Sequence, residues 1–231
     1  MRRRTQPEMI PLLHDFENET VLVFGGGPVG ARKTRRFAEE ARVIVISPEF
    51  CERSFEPSDR RDPAADVELI REAPGPEEVT EYIEQIQPAL VVAATNIAEI
   101  NEVAAQAAKT HGALINRADQ HGGREAGSVV VPATVRDGPV LAAVATGGRA
   151  PALSKYLRER VERELDGAGA MAELLGELRD EFQREMPPKR RRAAVRAILA
   201  DDDVWKHLDT NETKVRQLAE DVAADVSGDT S

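Results

Sequence analysis

The chain has 231 residues, 41% of them hydrophobic, enough to bury one full domain and a smaller attachment. Its 41 acidic and 31 basic residues give a net charge of −10, which disfavours long-range attraction to nucleic acid or an anionic membrane and points to a small-molecule partner. No apolar run reaches the roughly 18 residues of a membrane span, and MRRRTQPEM is not followed by the apolar stretch of a secretory signal, so a cytoplasmic protein is expected. The single cysteine, Cys51, excludes an intrachain disulfide, and His14, His111, His121 and His207 do not have the spacing of a zinc site, so no resident metal is expected. Only six of the basic residues are lysine, a bias that fits a salt-adapted source or a high-GC one.

In chain order, residues 20–24 (TVLVF) read as a strand, glycines follow at once, and residues 31–40 read as a helix. Residues 42–46 (RVIVI) form a second strand that ends at Ser47 and Pro48. Residues 67–70 are a weaker strand, 77–85 a helix, 89–94 (ALVVAA) a strand, 98–110 a helix and 113–116 (ALIN) a strand. This alternation calls for an α/β fold with a Rossmann-type doubly wound parallel sheet over residues 8–118. The pattern then changes: residues 128–135 and 139–145 are strand-like, and the turn signal Arg136-Asp137-Gly138 between them makes an antiparallel pair. Residues 151–222 are expected to be helical, with helices near 171–185 and 189–199, and residues 223–231 to form a disordered tail.

Gly25, Gly27 and Gly30 spell GxGxxG between a strand and a helix, where the helix N-terminus favours phosphate. Gly25 permits the turn, Gly27 lets the backbone approach a pyrophosphate, and Gly30 allows close packing of helix on strand. The spacing fits a dinucleotide, and also a flavin or a vestigial phosphate loop. After the second strand stand Ser47, Pro48 and Glu49; the carboxylate is two residues late for the usual ribose contact. No arginine stands in that turn to receive a 2′-phosphate, which favours NAD over NADP. Thr95 and Asn96, past the carboxyl end of ALVVAA, fit the nicotinamide side of a crevice or the cap of the next helix. Asp119, after ALINRA, fits a general base or an exposed loop residue. Thr146, Gly147, Gly148 and Arg149 join a strand to a helix and fit a carboxylate site or a plain turn. The basic run 189–192 reads as a solvated helix face, answered by Asp201, Asp202 and Asp203.

Together, IPLLHDFENETVLVFGGGPVGARKTRRF, VVAATN, INRAD, VVVPATVRDGPVLAAVATGGRAP and LSKYLRERVE resemble the precorrin-2 dehydrogenase and sirohydrochlorin ferrochelatase family, which also forms the N-terminal half of siroheme synthase. The resemblance runs from Ile10 to Leu208. It implies NAD-dependent oxidation of precorrin-2 to sirohydrochlorin in siroheme biosynthesis, with Asp119 as the catalytic aspartate. The family's cofactor contacts fall on Pro28 and Val29 and on Pro48 and Glu49, and its STGG-type segment falls on residues 145–148, with Thr146 preserved. Ala150 and Val129 depart from the family's usual serine and phenylalanine. The resemblance further implies a homodimer joined through strands of residues 119–150, a helical C-terminal domain, and an active site between the NAD domain and the partner-facing region.

Under this reading the tetrapyrrole's carboxylates need a local cationic field, for which Arg117, Arg124, Arg149, Lys155 and Arg158 are the candidates. Some family members also insert Fe2+ as a substrate, and there the macrocycle itself supplies the ligands. The sequence shows no methyltransferase region, so uroporphyrinogen methylation is expected of another protein. A rival of another class is a regulatory NAD-sensing module without catalysis. It accounts for GxGxxG but gives no reason for INRAD, the following hairpin or TGGRAP.

Overall fold

A computed structural model describes residues 10–51, 66–119, 128–208 and 210–226. Arg124 and residues 227–231 of the expected tail lie outside these. The chain divides into two compact units, Met1–Val131 and Pro132–Ser231.

The first unit holds a five-stranded parallel sheet in the order β3-β2-β1-β4-β5, made of β1 (Thr20–Gly26), β2 (Arg42–Phe50), β3 (Val67–Ile70), β4 (Leu90–Ala93) and β5 (Leu114–Arg117). Strand alternation sends successive apolar side chains to opposite faces, and both faces are covered. Leu22, Phe24, Ile44, Ile46, Val91 and Ala93 pack with Val79 and Ile83 of α2 (Pro76–Ile86) and Ile100 and Ala104 of α3 (Ala98–Thr110). Val21, Val23, Val43, Val45 and Val92 pack on the other face with Phe37 of α1 (Pro28–Phe37). The expected doubly wound sheet is therefore present, and its order places the β1–β4 crevice where the connections diverge.

Three local expectations change. The second strand does not stop at Ile46: Ser47, Pro48 and Glu49 continue β2 to Phe50, with a register shift opposite Phe24 and Gly26 and a bond from the Cys51 amide to the Gly26 carbonyl (3.0 Å). Helix α1 starts at Pro28 rather than Ala31, because proline at the first helical position gives up no hydrogen bond. The stretch 128–135 is two segments. Ser128 bridges Ile115, and the Val129 amide donates to the Ile115 carbonyl (2.8 Å), so this segment lies on the edge of β5. After Pro132, which has no amide for a ladder, β6 (Ala133–Asp137) pairs antiparallel with β7 (Val140–Val144).

In the second unit, the hairpin turn is anchored where Asp137 Oδ2 accepts from the Gly169 amide (2.9 Å). Helix α4 (Pro151–Glu164) packs on β6 and β7 yet has no fully buried residue, and Leu153 and Tyr156 are about half exposed. Helices α5 (Ala168–Glu185), α6 (Pro188–Ala200), α7 (Asp202–His207) and α8 (Glu212–Asp225) enclose a core of Met171, Leu174, Leu178, Phe182, Ile198 and Val215. Helix α8 carries order to Asp225, past the expected start of the disordered tail. Among the described residues no helix is long and apolar enough to cross a membrane.

A Cβ on Gly30 would stand 1.8 Å from the Gly25 carbonyl oxygen, whereas one on Gly27 would meet nothing within 4 Å. Gly30→Ala is therefore expected to cost about 3 kcal/mol or more in denaturant unfolding, because backbone must move, and Gly27→Ala to leave the midpoint nearly unchanged. Equal midpoints for the two variants would contradict this packing.

Candidate active site

The turn between β1 and α1 is fixed by two close approaches. Gly25 has φ 113°, and a Cβ there would lie 2.5 Å from the Ala94 carbonyl oxygen, so the turn sits against the end of β4. Gly30 rests on the carbonyl of Gly25 itself. Gly26, to which the GxGxxG pattern gives no task, is equally confined: a Cβ would stand 2.3 Å from the Glu49 carbonyl oxygen. Gly27 alone faces open space. It caps α1 without a side-chain bond, and no acidic residue stands in the first turn. The Val29 and Gly30 amides donate to no group among the described residues. Open space over Gly27, two available amides and the positive end of a helix form an anion cradle that fits the pyrophosphate of a dinucleotide.

At the end of β2, Ser47 is buried and its hydroxyl donates to the Glu49 carbonyl (2.8 Å), while Pro48 and the Glu49 side chain are exposed. The structure also brings a cation here that the local sequence does not show. Arg71, just after β3, donates to the Pro48 carbonyl (3.4 Å) and lies 5.3 Å over the Phe50 ring.

At the end of β4, Thr95 forms a closed set of bonds with Asn101 of α3. The Thr95 amide and hydroxyl both donate to Asn101 Oδ1 (3.1 and 2.8 Å), and Asn101 Nδ2 donates to the Thr95 carbonyl (3.0 Å). The Thr95 hydroxyl also accepts from the Ile97 amide (3.1 Å), so Thr95 shapes the entry to α3 and the exposed Asn96 side chain has no partner among the described residues. Asn101, only 1% exposed, is a site residue that sequence reasoning missed. Its place just inside the start of α3 carries no local signal.

Asp119 stands two residues beyond the end of β5. Both its oxygens are taken by one guanidinium: Arg117 Nε donates to Oδ1 (3.1 Å) and Arg117 Nη2 to Oδ2 (2.9 Å), while Nη1 of the same arginine pairs with Glu102 of α3. Arg117 is 10% exposed, which strengthens the pair relative to one in open water. The Arg117 hydrogen bonds hold the Asp119 carboxyl below the usual carboxylate range, and a hydrogen bond from Asn101 acts in the same direction against partial burial. Thr95 and Asn101 thus form one hydrogen-bonded set, and Asp119, Arg117 and Glu102 another.

The remaining candidates belong to the second unit. Gly147 and Gly148 have φ 66° and 78°, a left-handed pair that lets the Arg149 amide return to the Thr146 carbonyl (3.2 Å). The Thr146 hydroxyl donates to the Ala150 carbonyl (3.1 Å) and meets the Ser154 hydroxyl at 2.8 Å. The Arg149 side chain is exposed and has no partner among the described residues. Lys155 and Arg158 are paired along α4 with Glu159 (3.9 Å) and Glu162 (3.0 Å).

A family profile described as "Putative NAD(P)-binding" matches residues 12–133. The chain is 29% identical over 213 residues to the precorrin-2 dehydrogenase of Methanosarcina barkeri, covering 91% of each protein. The chain belongs to the family of precorrin-2 dehydrogenases and siroheme synthase N-terminal modules. Siroheme synthase 2 of Aeromonas hydrophila is 34% identical over 179 residues, which cover 77% of this chain and 35% of that protein. Siroheme synthase 1 of Pectobacterium atrosepticum is 31% identical over 189 residues, 36% of its own length. The chain thus spans about a third of the length of these synthases. A solved structure of "SirC, precorrin-2 dehydrogenase" shares the fold, with a TM-score of 0.63 at 21% identity over 94% of this chain and 100% of that one. Within this family the glycine turn, the end of β2 and the Thr95 loop lie in the NAD(P)-binding domain.

Two measurements test this geometry. Gly27→Ala is expected to weaken NAD(P) binding tenfold or more by calorimetry, because its methyl fills the open space of the cradle. In a carboxyl-carbon NMR titration, Asp119 is expected to titrate below the reference of about 3.9, and Arg117→Gln to move that midpoint upward. An unmoved midpoint would show that Arg117 does not set the carboxylate.

Proposed function

We propose that the protein oxidises precorrin-2 to sirohydrochlorin with NAD+ in siroheme biosynthesis. The observation that carries this reading is Asp119, held by Arg117 at the carboxyl edge of a dinucleotide-type sheet, in a chain similar almost end to end to a protein named precorrin-2 dehydrogenase. The dehydrogenation removes two electrons and two protons from the macrocycle, as one hydride and one proton. The nicotinamide, when bound, takes the hydride.

The chain's own residues bind, orient and move the proton. The amides of Val29 and Gly30, opposite the open Gly27, hold the pyrophosphate, with Pro28 setting the first turn of the helix. The end of β2 at Ser47, Pro48 and Glu49 receives the adenosine ribose. The Glu49 carboxylate would accept from ribose hydroxyls and repel a 2′-phosphate, which favours NAD. Thr95, held by Asn101, and the unpartnered Asn96 side chain line the nicotinamide side.

Asp119 receives the proton. Its ion pair favours the ionised form and makes it a weaker base, and the proton it takes passes readily to water. Arg117 positions Asp119 and meets the edge of the tetrapyrrole substrate. Gly147, Gly148 and Arg149 bind substrate carboxylates through the turn amides and the guanidinium, and Thr146 holds the turn through its hydroxyl. The exposed Leu153 and Tyr156 of α4 support a homodimer. Where Fe2+ insertion follows, the metal is a substrate and a carboxylate takes the pyrrole protons.

Asp119→Ala is expected to abolish NADH formation from precorrin-2, at least 100-fold in kcat, and to leave the Kd for NAD+ unchanged. Undiminished turnover would remove Asp119 from the mechanism. Binding of NAD+ by the unmodified protein without any turnover would identify a sensing module instead. Because the carboxylate is held ionised, kcat/KM is expected to keep its plateau below pH 5, and Arg117→Gln to move the acid limb toward neutrality.

A further inference from the structure

Helices α5 and α6 line a half-open cleft of about 490 Å3 with an almost wholly apolar surface, to which the stems of Arg179, Arg191, Arg192 and Arg196 contribute beside Phe182 and Val195. Phe182 is 3% exposed and forms a firm floor. None of the four guanidinium groups has a hydrogen-bond or ion-pair partner among the described residues. In a chain with 41 acidic residues this is not the default, since nearby Arg216 gathers Glu177 (3.6 Å), Glu181 (2.7 Å) and Glu220 (2.9 Å). Carboxylates expected to answer the basic run are occupied elsewhere: Asp201 accepts from the Asp203 and Val204 amides (both 2.9 Å), and Asp203 pairs with Lys206 (3.1 Å). Arg191 and Arg192 also stand near the start of α6, whose first turn has no acidic residue, so the helix dipole adds to their positive field.

We propose that this cavity is a second, non-catalytic binding site for a planar macrocycle edged with several carboxylates. This rests on the dehydrogenase reading, whose substrate and product are of that class. The apolar floor takes a ring face or edge, and the arginines take separate carboxylates in forked geometry. A volume within the roughly 300–1,000 Å3 range of small-molecule sites favours such a ligand over a macromolecular surface. The site gives a protein of net charge −10 a local means of retaining a polyanion that its overall field repels.

The test uses the full chain and uroporphyrin I as an octacarboxylate probe, followed by fluorescence, with a carboxylate-free porphyrin as control. The unmodified protein is expected to show an uroporphyrin binding event, absent with the control, that Arg191→Gln/Arg192→Gln/Arg196→Gln weakens at least tenfold. The variant's NAD+ Kd, and its kcat for precorrin-2 at saturation, are expected to stay unchanged. An unaltered uroporphyrin isotherm in a folded variant overturns the proposal. If the glutamine variant does not fold, lysines at the same positions keep the charge and remove the fork; a loss of several-fold is then expected, and no loss overturns it. Arginine-dependent uroporphyrin binding in a protein that fails to oxidise precorrin-2 would uphold this site and defeat only the dehydrogenase reading.

Discussion

The site in the first unit depends on how closely backbone passes backbone at Gly25. With its left-handed φ of 113° and its Cα against the Ala94 carbonyl, β1 turns into α1 at the end of β4, and Gly30 then sits on the Gly25 carbonyl. No side chain fits in either contact. The N-terminus of α1 is consequently held at the carboxyl edge of the sheet, with Gly27 open above it. The same edge carries the ends of β2, β4 and β5, so Glu49, Thr95 and Asp119 all lie along it because the strands are parallel and in register. Function follows from this arrangement only through side chains, since the fold itself is shared by many chemistries.

Among those side chains, the pairing of Arg117 with Asp119 reconciles two opposing demands. A proton acceptor in a partly buried position loses hydration, which raises its pKa and leaves it protonated. Two donors from one guanidinium and the Asn101 amide oppose that, and the result is a carboxylate that is ionised at rest. Glu102 in turn balances the arginine, so the cluster has no large excess of either charge. Helix α3 serves both strand ends, with Asn101 bonded to the Thr95 turn after β4 and Glu102 paired with Arg117 of β5.

The regular part of this architecture was legible in the sequence because it rests on local patterns. Short apolar strand runs and the glycine turn each carry their own signal over a few residues, and the order of elements led to the sheet. What was not legible was contact at a distance. Arg71 reaches Pro48 only because β3 pairs with β2, and the connection between them is long. Asn101 acts on Thr95 from the second turn of a helix. Gly26 looks dispensable in GxGxxG and is confined by the continuation of β2 past Ile46, which Pro48 seemed to forbid. That proline is tolerated where the register shifts. Asp119 was singled out by resemblance rather than by pattern, and its ionised state emerged only with Arg117 in place.

Charge shows the same division between composition and placement. A net charge of −10 excludes polyanion binding only if charge is spread evenly, and here it is not. Glutamates along α5 and α8 are drawn to Arg216, and aspartates after α6 cap α7 or pair with Lys206. The arginines of the α5–α6 cavity and Arg149 on its turn are left without such partners among the described residues. Screening confines bulk repulsion to about 8–10 Å at ordinary salt, so an anion that reaches these positions meets the local cations first. Acidic composition and local anion-binding groups are therefore compatible in one chain, because acidic side chains pair with Arg216 and Lys206 while other arginines stand apart from them.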